Sequence, residues 1–151
     1  MKAIHWLSLL LIVAGSVQAQ ENPVKWKVVS KKVDAKTYEL HISATVSQPW
    51  HIYSQATPDG GPLPTKIQFD KNPLIIVSGK PKEIGTLKEK FEEVFDVKVK
   101  YFSGDVEFVQ VFQLKNDKVK TTLSGSINYM ACTDEQCLPP TSYSFAIPVN
   151  Q

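Results

Sequence analysis

The two cysteines of the chain lie close together in sequence. Cys132 and Cys137 are separated by four residues, in a stretch between two predicted strands. A hairpin-like loop of this length can bring their Cα atoms within the roughly 4.4–6.8 Å that a disulfide needs. We therefore expect the two thiols to pair with each other at the mouth of a loop.

Such a bridge contributes little to the stability of a fold. Closing a loop of about six residues stabilises a fold by roughly 2 kcal/mol in the chain-entropy model, against about 4–5 kcal/mol for a loop near a hundred residues. A short bridge at a surface is also open to attack by an external thiolate. The spacing by itself leaves two interpretations open, a redox-active disulfide and a bridge that only stiffens its loop.

Two carboxylates, Asp134 and Glu135, lie between the cysteines. A negative charge beside a thiol raises the thiol pKa because it disfavours the thiolate. A carboxylate shielded from water could instead accept a thiol proton, as a general base. A solvated loop tip is the plainer role for each residue alone. Pro139 and Pro140 have no backbone donor, so the chain after Cys137 is expected to be stiff and to leave its edge unpaired.

Metal and hydrolase chemistry have weaker support. Met130 and the cysteines are soft ligands that suit Cu(I) together with a histidine. Only His41 and His51 follow the predicted leader described below, and no closely spaced set of His and Cys ligands is present. Neither histidine has an evident partner to orient it for nucleophilic catalysis. We expect no metal and no other bound cofactor.

Charge and glycine content argue against nucleic-acid and nucleotide partners. The chain has 151 residues and a net charge of +2, from 17 basic and 15 acidic residues, and every basic residue is lysine. It therefore has no guanidinium group to bind phosphate bidentately. The seven glycines are scattered and form no phosphate-binding loop.

Residues 1–19 have the pattern of a secretory signal peptide. Lys2 is followed by a short apolar run and by small residues that end at Ala19. The run is far below the roughly 20 residues that a bilayer core requires. We expect an exported protein, with no stable membrane insertion, whose domain comprises residues 20–151. Outside the cytosol its cysteines can stay oxidised.

The remaining chain is dominated by alternating apolar and polar residues, which is typical of half-buried strands. Ser54–Pro64 is rich in proline and glycine and is predicted to be a loop, and Lys80–Asp96 a long connection. The pattern predicts a single all-β domain, an antiparallel sandwich of immunoglobulin type. The predicted strands are Val24–Val28, Tyr38–Ile42, Thr65–Phe69, Leu74–Val77, Val97–Tyr101, Val106–Leu114, Val119–Tyr129 and Tyr143–Val149.

Two segments resemble a known family. Tyr129–Pro140, which contains both cysteines, and Pro49–Ser54 are similar to the N-terminal periplasmic domain of the thiol:disulfide interchange protein DsbD. The resemblance implies an immunoglobulin-like domain that transfers electrons by thiol–disulfide exchange. It makes Cys132 and Cys137 the redox pair and Cys137 the sulfur that forms a mixed disulfide with a partner.

The resemblance also assigns the surroundings of the pair. His51 and Tyr53 fall where the family has aromatic residues beside the cysteines, and Tyr129 opens the cysteine segment. Phe95 and Asp96 lie where the family has a cap, and Phe95 is our candidate for the ring that covers the disulfide. Plain core packing is the alternative for Phe95.

The predicted function is an electron relay outside the cytosol, within a protein-disulfide reductase system. The expected donor is a thioredoxin-like protein or a membrane thiol conduit, and the expected acceptor is an oxidised periplasmic thiol protein. The alternative is a non-catalytic binding or adaptor sandwich with a structural loop disulfide. The sequence identifies neither donor nor acceptor, nor the direction of electron flow, the resting position of the cap or the oligomeric state.

Overall fold

The computed structural model describes residues 22–93 and 95–150. These residues form twelve β-strands and no helix, so none of them belongs to a membrane-spanning helix. The predicted leader, residues 1–19, lies outside the described residues. The strands are β1 (Val24–Lys32), β2 (Thr37–Val46), β3 (His51–Tyr53), β4 (Lys66–Phe69), β5 (Ile75–Val77), β6 (Lys82–Gly85), β7 (Lys88–Glu92), β8 (Val97–Phe102), β9 (Gly104–Leu114), β10 (Thr121–Tyr129), β11 (Ala131–Cys132) and β12 (Thr141–Val149).

All strand pairs are antiparallel, and they form three sheets. The first has the order β1-β2-β9-β5, with β6 also pairing with β9. The second has the order β12-β10-β4, and the third, which carries the cysteines, has the order β11-β3-β8-β7. The predicted immunoglobulin-like sandwich is confirmed.

The main core follows from the alternation of the long strands. In β2, Leu40 and Ile42 point inward and are fully buried, while His41 between them is only partly buried. They pack with Phe108 of β9 and with Leu123 and Ile127 of β10. Full burial of one such side chain contributes roughly 1.5–3 kcal/mol. This core holds the sheets together independently of the cysteines.

Gly125 allows β4 to approach β10 closely. A Cβ atom at this position would clash with the carbonyl oxygen of Gln68 and would lie 2.8 Å from the ring of Phe145. Real Cβ atoms do not approach a backbone oxygen so closely, so any side chain here would push β4 away.

The prediction of a long connection over Lys80–Asp96 is wrong, because this segment contains β6 and β7. The alternation of apolar and polar residues does not reveal β7, because this strand lies at a sheet edge and its charged side chains, not its apolar one, are half-buried. Phe91 is 58% exposed, whereas Lys90 and Glu92 are half-buried. Charges that point inward are typical of an edge strand and remove the apolar alternation. The predicted loop at Ser54–Pro64 contains no strand, as expected.

Candidate functional site: a disulfide hairpin beside a polar network

Cys132 and Cys137 form a disulfide across a small hairpin. Their Cα atoms are 4.0 Å apart, slightly closer than expected from the sequence, and the two residues face each other as an antiparallel bridge. Such a pair without direct hydrogen bonds between its members brings Cα atoms to about 4.5 Å, closer than a hydrogen-bonded pair. The flanking hydrogen bonds run from the Thr133 amide to the Gln136 carbonyl (2.7 Å) and from the Leu138 amide to the Ala131 carbonyl (2.9 Å).

The hairpin turn is closed by the hydroxyl of Thr133. Its Oγ1 accepts hydrogen bonds from the amides of Glu135 and Gln136, each 3.1 Å long. Ser and Thr hydroxyls commonly close turns in this way. Asp134 and Glu135 consequently form an exposed tip. Thr133 is not among the residues predicted from the sequence, although a threonine directly after a cysteine at a turn is a usable signal.

The two cysteines differ sharply in burial. Cys132 is 1% exposed and packs in a small cluster with Tyr53 and Val99. Cys137 is exposed. An external thiolate can therefore reach Cys137, while the surrounding side chains shield Cys132.

A chain of polar contacts runs from the buried cluster to the cysteine loop. The ring of His51 contacts the Tyr53 hydroxyl through Nε2 at 3.2 Å, and this hydroxyl donates to Glu92 Oε1 at 3.1 Å. Lys90 Nζ contacts Glu92 Oε1 at 3.0 Å and Asp134 Oδ1 at 3.1 Å. We call these five residues the polar network. It connects β3, β7 and the tip of the disulfide hairpin.

Burial sets the protonation of the two aromatic members. It lowers the pKa of His51 to about 4, and the positive charge of Lys90 acts in the same direction. His51 is therefore neutral at neutral pH. Burial also raises the pKa of Tyr53, assisted by the charge of Glu92, so its hydroxyl stays a hydrogen-bond donor.

The charged members stabilise one another. Burial alone would lower the pKa of Lys90, but hydrogen bonds and charges from Glu92 and Asp134 outweigh it, and the pKa is raised. The hydrogen bond and charge of Lys90 lower the pKa of Asp134. The Asp134 carboxylate thus has a lysine partner and is not an isolated negative charge beside the thiols.

The predicted cap residues lie at the end of the hairpin formed by β7 and β8, which we call the cap hairpin. Phe95 is 40% exposed and its amide donates to the Glu92 carbonyl at 3.1 Å. Asp96 adopts a left-handed backbone conformation with φ of 52°. The Lys90–Asp134 ion pair connects this hairpin to the cysteine loop. A covering role for Phe95 stays a prediction.

Two other predicted residues lie apart from the polar network. Tyr129 belongs to the main core, where its hydroxyl accepts a hydrogen bond from Asn22 and its ring packs 5.2 Å from that of Trp26. Glu135 lies at the exposed hairpin tip, and its amide donates to Thr133.

Sequence reasoning missed Lys90 and Glu92. They are two residues apart, so they share one face of β7, and Lys90 lies opposite Val99 of β8, which packs against Cys132. Their spacing is a usable signal only once the segment is recognised as a strand.

A family model of the thiol:disulfide interchange protein DsbD, N-terminal, matches residues 17–148. The chain belongs to this family. The match covers both cysteines, the polar network and the cap hairpin. A search of the curated proteins finds no match.

Solved structures of DsbD-type N-terminal domains share the fold. The N-terminal periplasmic domain of ScsB from Proteus mirabilis is 14% identical, with a TM-score of 0.59 over 85% of this chain and 47% of that one. The N-terminal domain of Neisseria meningitidis DsbD in the reduced form is 19% identical, with a TM-score of 0.52 over 78% of this chain and 87% of that one. The chain thus spans about half the length of the ScsB structure.

Proposed function

We propose that this protein is exported and relays electrons by thiol–disulfide exchange through Cys132 and Cys137. The observation that carries the proposal is the unequal burial of the bridge, with Cys132 enclosed and Cys137 exposed. Family membership supports the class of reaction. We place the protein in the periplasm or an equivalent extracytoplasmic compartment, where such a pair can be oxidised.

Reduction of the bridge begins at the exposed sulfur. A thiolate of a reduced partner attacks Cys137 Sγ, the Cys132–Cys137 bond breaks, and Cys132 leaves as a thiolate that then takes up a proton. The second thiolate of the partner attacks the partner's own sulfur in the mixed disulfide and releases Cys137, which is also protonated. Two electrons and two protons have then passed from the partner to this protein.

The reverse sequence delivers the electrons to an oxidised acceptor. The Cys137 thiolate attacks the disulfide of the acceptor, and Cys132 resolves the mixed disulfide. The donor we propose is a thioredoxin-like protein or a membrane thiol conduit, and the acceptor is an oxidised periplasmic thiol protein. No bound cofactor enters these steps.

The cap hairpin supplies control of access. We assign to Phe95 the role of a movable cover, supported by its place at the end of the cap hairpin and by the Lys90–Asp134 contact with the cysteine loop. Opening upon docking would make exchange depend on access as well as on intrinsic reactivity.

Two single-serine variants test the relay. In Cys132→Ser the remaining thiol is exposed, and in Cys137→Ser it is buried, so we expect Ellman's reagent to react at least about tenfold faster with the first variant. Far-UV circular dichroism controls for folding. Equal rates, or reaction only above the unfolding transition in both variants, would contradict the proposal.

The reduction potential separates the relay from a structural bridge. Structural disulfides of secreted proteins lie below about −300 mV, and we expect a higher value here. Equilibration of the wild-type protein with glutathione or dithiothreitol buffers measures it. A potential below that limit would favour a bridge that only shapes its loop.

A further inference from the structure

A cleft of about 420 Å³ lies beside the exposed cysteine. Gln136, which lines the cleft, directly precedes Cys137 in the chain. The other lining residues come from the hairpin tip and from the segment that leads into β3, and they are Pro49, Trp50, Thr133, Asp134 and Glu135. A partner whose sulfur attacks Cys137 can therefore place a neighbouring side chain in this cleft.

The charge of the cleft is negative. Asp134 and Glu135 contribute two carboxylates, and none of the six lining residues carries a positive charge. Asp134 is paired with Lys90, although its side chain is 93% exposed. The Glu135 carboxylate has no hydrogen-bond or ion-pair partner within residues 22–93 and 95–150. Its charge is therefore unbalanced and attracts a cation.

An aromatic ring gives the cleft a second means of recognising a cation. Trp50 is half-buried and packs against the main core, so its ring is held in place where it lines the cleft. The face of an indole ring attracts ammonium and guanidinium groups more strongly than other aromatic rings do. A surface carboxylate alone binds a cation weakly. A carboxylate and an indole ring in one cleft can instead hold both the charged group and the apolar stem of a long basic side chain.

Resting on the proposed function, we infer that this cleft receives a lysine or arginine side chain that lies beside the reactive cysteine of the thiol partner. The stem of this side chain packs on Trp50, and its charged group pairs with Glu135 while the two proteins are joined through Cys137. The contact favours thiol partners that are basic around their cysteine over partners that are acidic there. A partner cysteine at the N-terminus of a helix suits this site, because the positive end of a helix dipole also favours nearby carboxylates.

Aminothiols of increasing length test this inference on the full chain carrying Cys132→Ser, with Cys137 first converted to its glutathione mixed disulfide. The probes run from 2-aminoethanethiol to 6-aminohexanethiol, and the matched controls are the hydroxythiols of the same lengths. For each thiol, the equilibrium constant for displacing glutathione from Cys137 is divided by the constant for its exchange with free oxidised glutathione. The ratio of amine to alcohol at each length then measures how strongly the protein favours the positive charge.

We expect this ratio to reach a maximum of about fivefold at one intermediate length, as one ion pair and one cation–π contact at a surface predict. At that length the ammonium group reaches the cleft. Glu135→Gln and Trp50→Leu, each added to the Cys132→Ser chain, should lower the maximum by about half or more. Asp117→Asn should leave it unchanged, because this exposed residue precedes β10, at the end of that strand opposite the cysteines.

A ratio that only decreases with length, or a maximum that Trp50→Leu leaves unchanged, would indicate a diffuse attraction by negative charge and would overturn the inference. If far-UV circular dichroism shows that Trp50→Leu does not fold, the length series and Glu135→Gln, whose side chain is exposed, decide the question.

Ratios near one at every length would also overturn the inference and would leave the relay intact, because the hydroxythiols still exchange. If glutathione and every thiol of both series fail to form a mixed disulfide with the folded Cys132→Ser protein, the proposed function is itself overturned, and the cleft loses its role with it.

Discussion

The two cysteines of the disulfide have different surroundings, and in the proposed relay this difference sets the order of the exchange steps. Cys132 is enclosed by Tyr53 and Val99, so its thiolate is released into a site with little water. A buried thiolate is disfavoured unless hydrogen bonds or positive charge stabilise it. The hydroxyl of Tyr53 donates to Glu92, and in the proposed relay Cys132 is therefore the resolving cysteine and not the attacking one.

His51 links the acidity of the site to its stability. The pKa of its ring is about 4 in the folded state because of burial, against about 6.5 in an unfolded chain. Between these values the unfolded state binds more protons, so stability falls as pH decreases from about 6.5 to about 4. The stability that is lost when His51 titrates is fully present above pH 7.

We expect His51→Gln to lose less stability than the wild-type protein between pH 7.5 and pH 4.5, by about 1–2 kcal/mol. Urea unfolding of the oxidised proteins at both pH values measures it. Asp34 and Glu89 also have lowered pKa values, but they titrate in both proteins, so their contributions cancel in the comparison. Parallel losses in the two proteins would show that His51 does not carry the effect.

At the scale of elements, the cap hairpin is an edge unit whose inward face is charged. Lys90 and Glu92 occupy the half-buried positions of β7, where apolar side chains would pack more strongly. Ion pairs of this kind at a surface are weak individually. The Lys90–Asp134 pair that joins the cap hairpin to the cysteine loop can therefore separate at low cost.

Asp134→Asn tests this contact. The variant removes the charge that joins the cysteine loop to Lys90 but keeps the Lys90–Glu92 pair. We expect reduction of the disulfide by a neutral phosphine to be about two- to fourfold faster, as the loss of one surface pair predicts. A neutral reductant is required, because loss of a negative charge would itself accelerate an anionic thiolate.

Glu89→Gln is the matched control. Glu89 pairs with Lys98 and Lys100 inside the cap hairpin, and these contacts do not reach the cysteine loop. Its reduction rate should equal that of the wild-type protein. The same acceleration in both variants, or in neither, would show that the Lys90–Asp134 pair does not restrain access.

At the scale of the whole molecule, the disulfide is separate from the main core. Leu40, Phe108 and Leu123 are fully buried between the sheets, whereas Cys132 belongs to a second, smaller cluster. The hairpin also keeps its own backbone hydrogen bonds and the Thr133 turn. The fold should therefore persist through reduction of the bridge.

We expect the double variant Cys132→Ser, Cys137→Ser to remain folded and to lose about 2 kcal/mol or less, the value for a loop of this length. Guanidinium unfolding, compared with that of the oxidised wild-type protein, measures the loss. If the domain unfolds without its disulfide, the fold depends on the bridge, and this result would contradict the relay.

Much of this protein follows from local sequence. Alternation in the long strands predicts the sandwich, because each of those strands buries one face against the main core. The short spacing of Cys132 and Cys137 predicts their pairing, since a tight hairpin needs no distant contacts to close. These features depend on residues that are near one another in the chain.

Only the tertiary structure decided the rest. The role of Lys90 and Glu92 depends on an edge strand whose charges point inward, and Tyr129 proved to face the main core. The unequal burial of the two cysteines arises because side chains of β3 and β8 pack against Cys132, whereas Cys137 lies on the sheet edge. The burial of a cysteine and the edge position of a strand depend on strands that are distant in sequence. No local sequence pattern predicts which strands will pair.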